Sequence, residues 1–153
     1  MTLRVHVRRR KSFARHGASV AQAARATLTF AGARQAEVTV VLTHEEEIRE
    51  FNRRYAGEDA TTDVLAFGDG STDPESGVHY LGDVVIAVPV AAQQAAAAGH
   101  PLEDELALLT VHGVLHLLGH DHDDPAARAR MDDAQQAVLS QLGIGLRRPP
   151  EAP

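Results

Sequence analysis

Leu3-Arg4-Val5-His6-Val7-Arg8 alternates apolar and polar side chains, the two-residue period of a strand with one buried face. Residues 9–17 read as a basic connector. Ser19 with Gln22 three positions on makes a capping-box pattern, and Val20, Ala23, Ala24 and Leu28 supply a modest apolar face. The spacing predicts a helix over 19–31, stopped by Gly32. Glu37-Val38-Thr39-Val40-Val41-Leu42 is rich in β-branched residues and predicts a second strand. Thr43, with Glu46 at the capping-box position, predicts a second helix with Ile48, Phe51 and Tyr55 as its buried side and Gly57 at its end. Thr62-Asp63-Val64-Leu65-Ala66-Phe67 predicts a third strand. Residues 68–77, crowded with Gly, Asp, Ser, Thr and Pro, predict a loop. Residues 80–87 are apolar nearly throughout and predict a central fourth strand. Pro89 suits the first turn of an alanine-rich helix over 89–98 that Gly99 closes.

Pro101 opens the next helix, with Glu103, Asp104 and Glu105 at its positive end. Residues 106–118 are apolar on nearly every side except at two histidines, the pattern of a buried helix. Asp124 then caps a last helix with Pro125 at its first position, Met131, Val138 and Leu142 along one side, and Gly143 at its end. The order β-α-β-α-β-β-α-α-α predicts an α+β fold. Its small mixed four-stranded sheet packs with about five helices, a central helix carrying the histidines. One domain is expected over 1–146, with a flexible proline-rich tail at 147–153.

Composition narrows the chemistry. A hydrophobic share of 44% excludes a disordered chain, and aromatics at 4% leave Ala, Val, Leu and Ile to build the core. The absence of cysteine removes disulfides, thiolate ligands and a cysteine nucleophile. No apolar run approaches the roughly 18 residues of a membrane span, and the N-terminus lacks an apolar signal region, so a cytoplasmic protein without a membrane partner is expected. The net charge of −6 argues against nucleic acid as a whole-molecule property. Yet Arg4, Arg8, Arg9, Arg10, Lys11 and Arg15 crowd the start of the chain, and Arg49, Arg53 and Arg54 form a second group. Screening limits the reach of distant charge to about 8–10 Å, so either group holds phosphates on an acidic protein, or is simply a solvated surface.

The densest chemistry is His112-Gly113-Val114-Leu115-His116-Leu117-Leu118-Gly119-His120-Asp121-His122. On a helix, His112 and His116 are one turn apart on one face, about 5–6 Å between Cβ atoms. Gly119 tolerates the left-handed conformation that ends helices, and the chain reversed there brings His122 back over that face. Three imidazoles with an open fourth position is the layout of a catalytic zinc site, so His112, His116 and His122 are the candidate metal ligands, with His120 on the rim. The spacing matches the metzincin protease pattern His-Glu-x-x-His-x-x-Gly-x-x-His at every histidine and at the glycine, but Gly113 stands where those proteases carry their general base. Peptide hydrolysis by that route is therefore disfavoured. Glu105, seven residues before His112, is either an orienting partner for a ligand or a first-turn dipole partner.

The same stretch resembles the signature of the YbeY family of bacterial rRNA maturation endoribonucleases. Phe51-Asn52-Arg53-Arg54-Tyr55, Thr62-Asp63-Val64-Leu65-Ala66-Phe67 and Leu81-Gly82-Asp83-Val84-Val85-Ile86 resemble the family's other blocks in the same order, as do Glu105-Leu106, Met131 and Leu142-Gly143-Ile144. The resemblance covers roughly 37–145. It implies one zinc ion held by His112, His116 and His122, an α+β fold, and cleavage of single-stranded RNA in 16S rRNA 3′-end maturation and ribosome quality control. The implied partners are ribosomal RNA and the small ribosomal subunit, with no DNA. Two positions depart from the family pattern. Ala56 replaces an arginine tied to activity, so either Arg53 or Arg54 takes over its role beside His112, or activity is weak; His120 stands where tyrosine is more frequent. Two other functions stay open: a metallohydrolase of peptides or small molecules, and a zinc-stabilised, non-catalytic ribosome assembly factor.

Overall fold

The computed structural model describes residues 1–146. The predicted tail at 147–153 lies outside the described residues. Strands β1 (Thr2–Arg9), β2 (Gln35–Thr43), β3 (Val64–Thr72) and β4 (His79–Ala87) form one sheet in the order β1-β2-β4-β3. β1 pairs with β2 and β2 with β4 in parallel, while β3 and β4 are antiparallel, so the sheet is mixed and β4 is central as predicted. Helices α1 (Gly17–Phe30), α2 (Glu45–Ala56), α3 (Val88–Ala98), α4 (Leu102–Leu117) and α5 (Pro125–Gln141) complete the predicted order.

Alternation along the strands divides the core between the two sheet faces. Val38, Val40 and Leu42 of β2 and Val84 and Ile86 of β4 meet α1 and α4 through Val20, Leu28, Leu106, Leu109 and Val114. A second apolar layer joins Leu108, Val111 and Leu115 of α4 to Met131, Val138 and Leu139 of α5. α4 is thus enclosed between the sheet and α5, which accounts for its apolar character on nearly all sides. On the opposite sheet face, Ile48 of α2 packs on Val41, Val85 and Ala87, with Phe51, Leu65 and Phe67 at the margin.

Several local expectations are corrected. The basic connector contains a 3-10 helix, Lys11–His16, and α1 begins directly after it, two residues earlier than the capping-box pattern places it. The Ser19 hydroxyl does not cap; it donates to Glu103 of α4 at 2.5 Å and to the His16 carbonyl at 3.2 Å. Similarly, the N-cap of α2 is His44 without a side-chain cap, and the Thr43 hydroxyl donates to Glu47 at 2.5 Å. In both places a stronger acceptor than the local backbone lies within reach, and a charged acceptor wins. β3 runs through Thr72 into the stretch read as a loop, because Gly68, Ser71 and Thr72 find ladder partners in Gly82, Tyr80 and His79 across a bulge. Gly82 permits this closeness: at φ 138° a Cβ there would stand 2.0 Å from the Phe67 carbonyl oxygen. Finally, Tyr55, expected on the buried side of α2, is 60% exposed.

Candidate metal and RNA site

α4 is buried over 105–115 except at His112, and His116 follows where that buried run ends. Gly113 faces the sheet so closely that a Cβ would lie 2.5 Å from Val84 Cγ1. No side chain fits there, least of all the glutamate that metzincins carry at this position. The flanking His112 is half-buried, and His116, one turn on, is exposed. α4 then stops through a tight reversal in which the Gly119 amide donates to the His116 carbonyl at 3.0 Å and the His120 amide to the Leu115 carbonyl at 3.1 Å. Gly119 takes φ 103°, a region side-chain-bearing residues rarely enter. The reversal returns His122 to α4, where its ring stacks on His112 with centroids 5.1 Å apart and planes 21° apart. The N-cap of α5 follows immediately: Asp124 accepts from the Ala127 amide at 2.8 Å, as its position predicts.

The predicted ligand set is therefore partly gathered. His112 and His122 are in ring contact, but among the described residues no three His, Asp or Glu side chains stand together at metal-holding distance. The donors suit a divalent ion chemically. His112 Nδ1 faces the Gln135 side-chain oxygen of α5 at 3.2 Å. With the ring proton on Nδ1, the lone pair lies on Nε2, the arrangement of a metal-ligating imidazole. Gln135 is a functional candidate that sequence reasoning missed. It is 8% exposed, four residues after Met131 and three before Val138, so its signal was a polar residue on the buried stripe of α5. His120 is half-buried beside the site.

Glu105 is more than a dipole partner. It is 2% exposed, and His100 Nε2 meets it at 2.7 Å. The Gln94 amide, with its nitrogen turned to the acids, donates to Glu105 at 3.3 Å and to Asp63 at 3.0 Å. Charge buried in this way is tolerated because it is bonded on several sides, and it anchors the first turn of α4 to α3 and to the start of β3. Nearby, the Glu103 carboxyl bonds to His16 and Ser19. Burial works to raise its pKa, but these two bonds together hold it below the usual carboxylate value.

Arg53 and Arg54 lie on α2, across the sheet from α4. Both reach back to Glu50, with Arg54 at 3.6 Å, and both are well exposed. Arg49 is committed to Asp59 through two bonds of 2.6 and 3.1 Å, which lower the Asp59 pKa. Asn52, buried, donates to the Ala60 carbonyl at 3.0 Å and pins the loop after α2. Ala56 ends α2 in solvent. The N-terminal basic group is split: Arg8, Arg9 and Arg10 line a shallow hollow with Val41, Leu42 and Glu47, at the far end of the sheet. Tyr80, Thr39 and Asp83 form a further polar group on the α2 face. The Tyr80 hydroxyl donates to Asp83 and accepts from the Thr39 hydroxyl 2.8 Å away, and burial, reinforced by Asp83, pushes its pKa up to about 12. Among the described residues no helix is long and apolar enough to cross a membrane.

Comparison with known proteins agrees with this architecture. A solution structure of TM1509 from Thermotoga maritima covers 93% of this chain and 92% of its own with a TM-score of 0.54 at 21% identity, which establishes a shared fold. A protein of Moorella thermoacetica named Endoribonuclease YbeY is 47% identical over 136 residues, covering 84% of this chain and 85% of that protein. Proteins of the same name from Shouchella clausii and Halorhodospira halophila are 44% identical over 120 residues and 42% over 113, each covering 72% of this chain. The sequence model of the family described as Endoribonuclease YbeY matches residues 6–143, a span holding both the histidine stretch and the Asn52–Tyr55 block; the chain belongs to the YbeY family.

Proposed function

We propose that this protein is a zinc-dependent endoribonuclease of single-stranded RNA acting in the cytoplasm, in the maturation of ribosomal RNA on the small ribosomal subunit. The observation that carries the reading is the return of His122 onto His112 beside a position, Gly113, that has no room for a protease's general base. Family membership supports RNA as the substrate over peptides, and over a purely structural role in ribosome assembly.

His112, His116 and His122 are the residues that would hold the ion. When bound, zinc supplies an acidified water and polarises a phosphoryl oxygen. Gln135 holds the His112 ring in its ligating tautomer. Arg53 and Arg54 are the cations closest in sequence to the position where Ala56 lacks the family arginine, and their solvent-exposed guanidinium groups meet the RNA backbone once Glu50 is exchanged for phosphate. Arg8, Arg9 and Arg10 extend backbone binding to the far end of the sheet.

The test is cleavage of a single-stranded RNA, a duplex of the same sequence and an unfolded protein, each with and without EDTA. EDTA-sensitive cleavage of the single strand alone is expected. Cleavage of the protein with RNA untouched would overturn the proposal. A 2′-deoxy substitution at the scissile nucleotide separates the nucleophiles: persistence of cleavage assigns attack to water, and its loss assigns attack to the ribose hydroxyl.

A further inference from the structure

Tyr55 is a large aromatic residue left 60% exposed, and its ring is not isolated. It stacks on Phe51 with centroids 6.1 Å apart at 22°, and meets Phe67 of β3 at 5.0 Å. Phe51 and Phe67 are themselves 5.8 Å apart. The three rings form one cluster, two rings half-buried against the sheet and the third presented to solvent. In a chain with 4% aromatics, half of the six Phe and Tyr side chains are spent on it. Such a cluster needs only its inner rings to close the α2 interface with the sheet. The outer one leaves apolar area in water that a partner would cover.

The chemistry around the cluster selects the partner. Arg53 and Arg54 precede Tyr55 directly, with side chains 59% and 63% exposed. An exposed ring on a helix that also exposes guanidinium groups matches a nucleotide of a single strand, whose base offers a π-face and whose phosphate offers charge. A duplex hides its base faces within the stack and offers none.

The position of the cluster connects it with the histidines. Val84, which Gly113 of α4 touches, pairs with Ala66 of β3, and the next residue, Phe67, points to the opposite sheet face. β3 is an edge strand. The histidine helix and the aromatic cluster therefore lie on opposite faces of the sheet with β3 as the nearest edge, and a strand of RNA that reaches both passes round that edge.

We propose that Phe51, Tyr55 and Phe67 form a base-stacking platform that holds one nucleotide of single-stranded RNA on the sheet face opposite the histidine helix. The proposal rests on the RNA-cleaving function above and adds a binding subsite to it. Binding of a fluorescein-labelled oligouridylate to the full-length protein, followed by anisotropy over a range of salt concentrations, tests it. Tyr55→Ala is expected to weaken binding about tenfold, the effect of removing one base–aromatic stack, with an unchanged salt slope. Tyr55→Phe keeps the ring and is expected to bind as wild type. Arg53→Ala, in contrast, is expected to lower the slope by about one. Wild-type affinity in Tyr55→Ala, beside intact RNA cleavage, would overturn the platform and leave the nuclease function standing. Equal weakening in Tyr55→Ala and Tyr55→Phe would assign the contact to the hydroxyl and also overturn stacking. A wild-type protein that neither binds nor cleaves RNA would remove the function and the platform together.

Discussion

α4 and α2 carry the two candidate sets, and they lie in opposite environments. α4 is enclosed between the sheet and α5, so a polar side chain on it needs a partner or a purpose. α2 has one face on the sheet and the other in water, so a charged side chain there costs little and implies little. Two of the histidines are consequently fixed by their surroundings, His112 by Gln135 and His122 by the turn at Gly119, and the helix itself is held by Glu105 and Glu103 at its first turn, while His116 is exposed. The arginines are held only by Glu50, in exposed pairs worth about 0–1 kcal/mol. The contrast teaches that polar side chains on an enclosed helix are specified from within the core, whereas exposed cations on a half-solvated helix are free to move.

The comparison is broken most severely at α4. Gly113→Ala forces a methyl group against Val84, an overpacking cost of about 1–3 kcal/mol, visible as a lowered thermal midpoint. Gly113→Glu, which completes the metzincin pattern, is expected to unfold the protein rather than create a protease. Val84→Ala combined with Gly113→Ala is expected to recover part of the loss, and strict additivity would show that the two residues do not share the contact. Gln135→Leu should come next, weakening zinc affinity roughly 10–100-fold while the fold persists, measured by competition with a chelator. An unaltered affinity would detach Gln135 from the site.

Smaller effects belong to the periphery. Glu103 has a lowered pKa in the folded state, so the unfolded chain takes up its proton first on acidification. Its contribution is present above the ordinary carboxylate range and is lost as pH falls through the lowered value. Because its side chain is 46% exposed, solvent screening keeps the contribution to no more than about 1 kcal/mol. Glu103→Gln is expected to flatten the fall in stability between neutral and acidic pH, and an identical profile would contradict this. Arg53→Ala is expected to act weakest of all, through the salt dependence of RNA affinity rather than through stability.

The same contrast explains what was legible in the sequence. The order of elements and the enclosed α4 followed from periodicity, because burial imposes it. The histidine turn was legible because Gly119 marks a conformation few residues adopt. By contrast, the local pattern ends β3 before Gly68, since its continuation depends on cross-strand partners 79–82 that no local pattern announces. Ser19 and Thr43 carry the local pattern of caps, but carboxylates compete with the backbone for their hydroxyls: Glu103, distant in sequence, for Ser19, and Glu47, one helical turn on, for Thr43. Tyr55 has the spacing of a core residue but sits at the end of α2, where the sheet no longer covers it. Gln135 showed a polar residue on an apolar stripe, a signal interpretable only once the partner ring was known.

Everything turns on whether the histidine turn holds a metal that the reaction needs. The most direct measurement is the metal content of the purified wild-type protein and of His116→Ala, with cleavage of single-stranded RNA assayed on the same preparations. About one zinc per wild-type chain is expected, lost in His116→Ala together with cleavage while the thermal transition remains cooperative. Cleavage that survives in a zinc-free, folded His116→Ala would contradict the account.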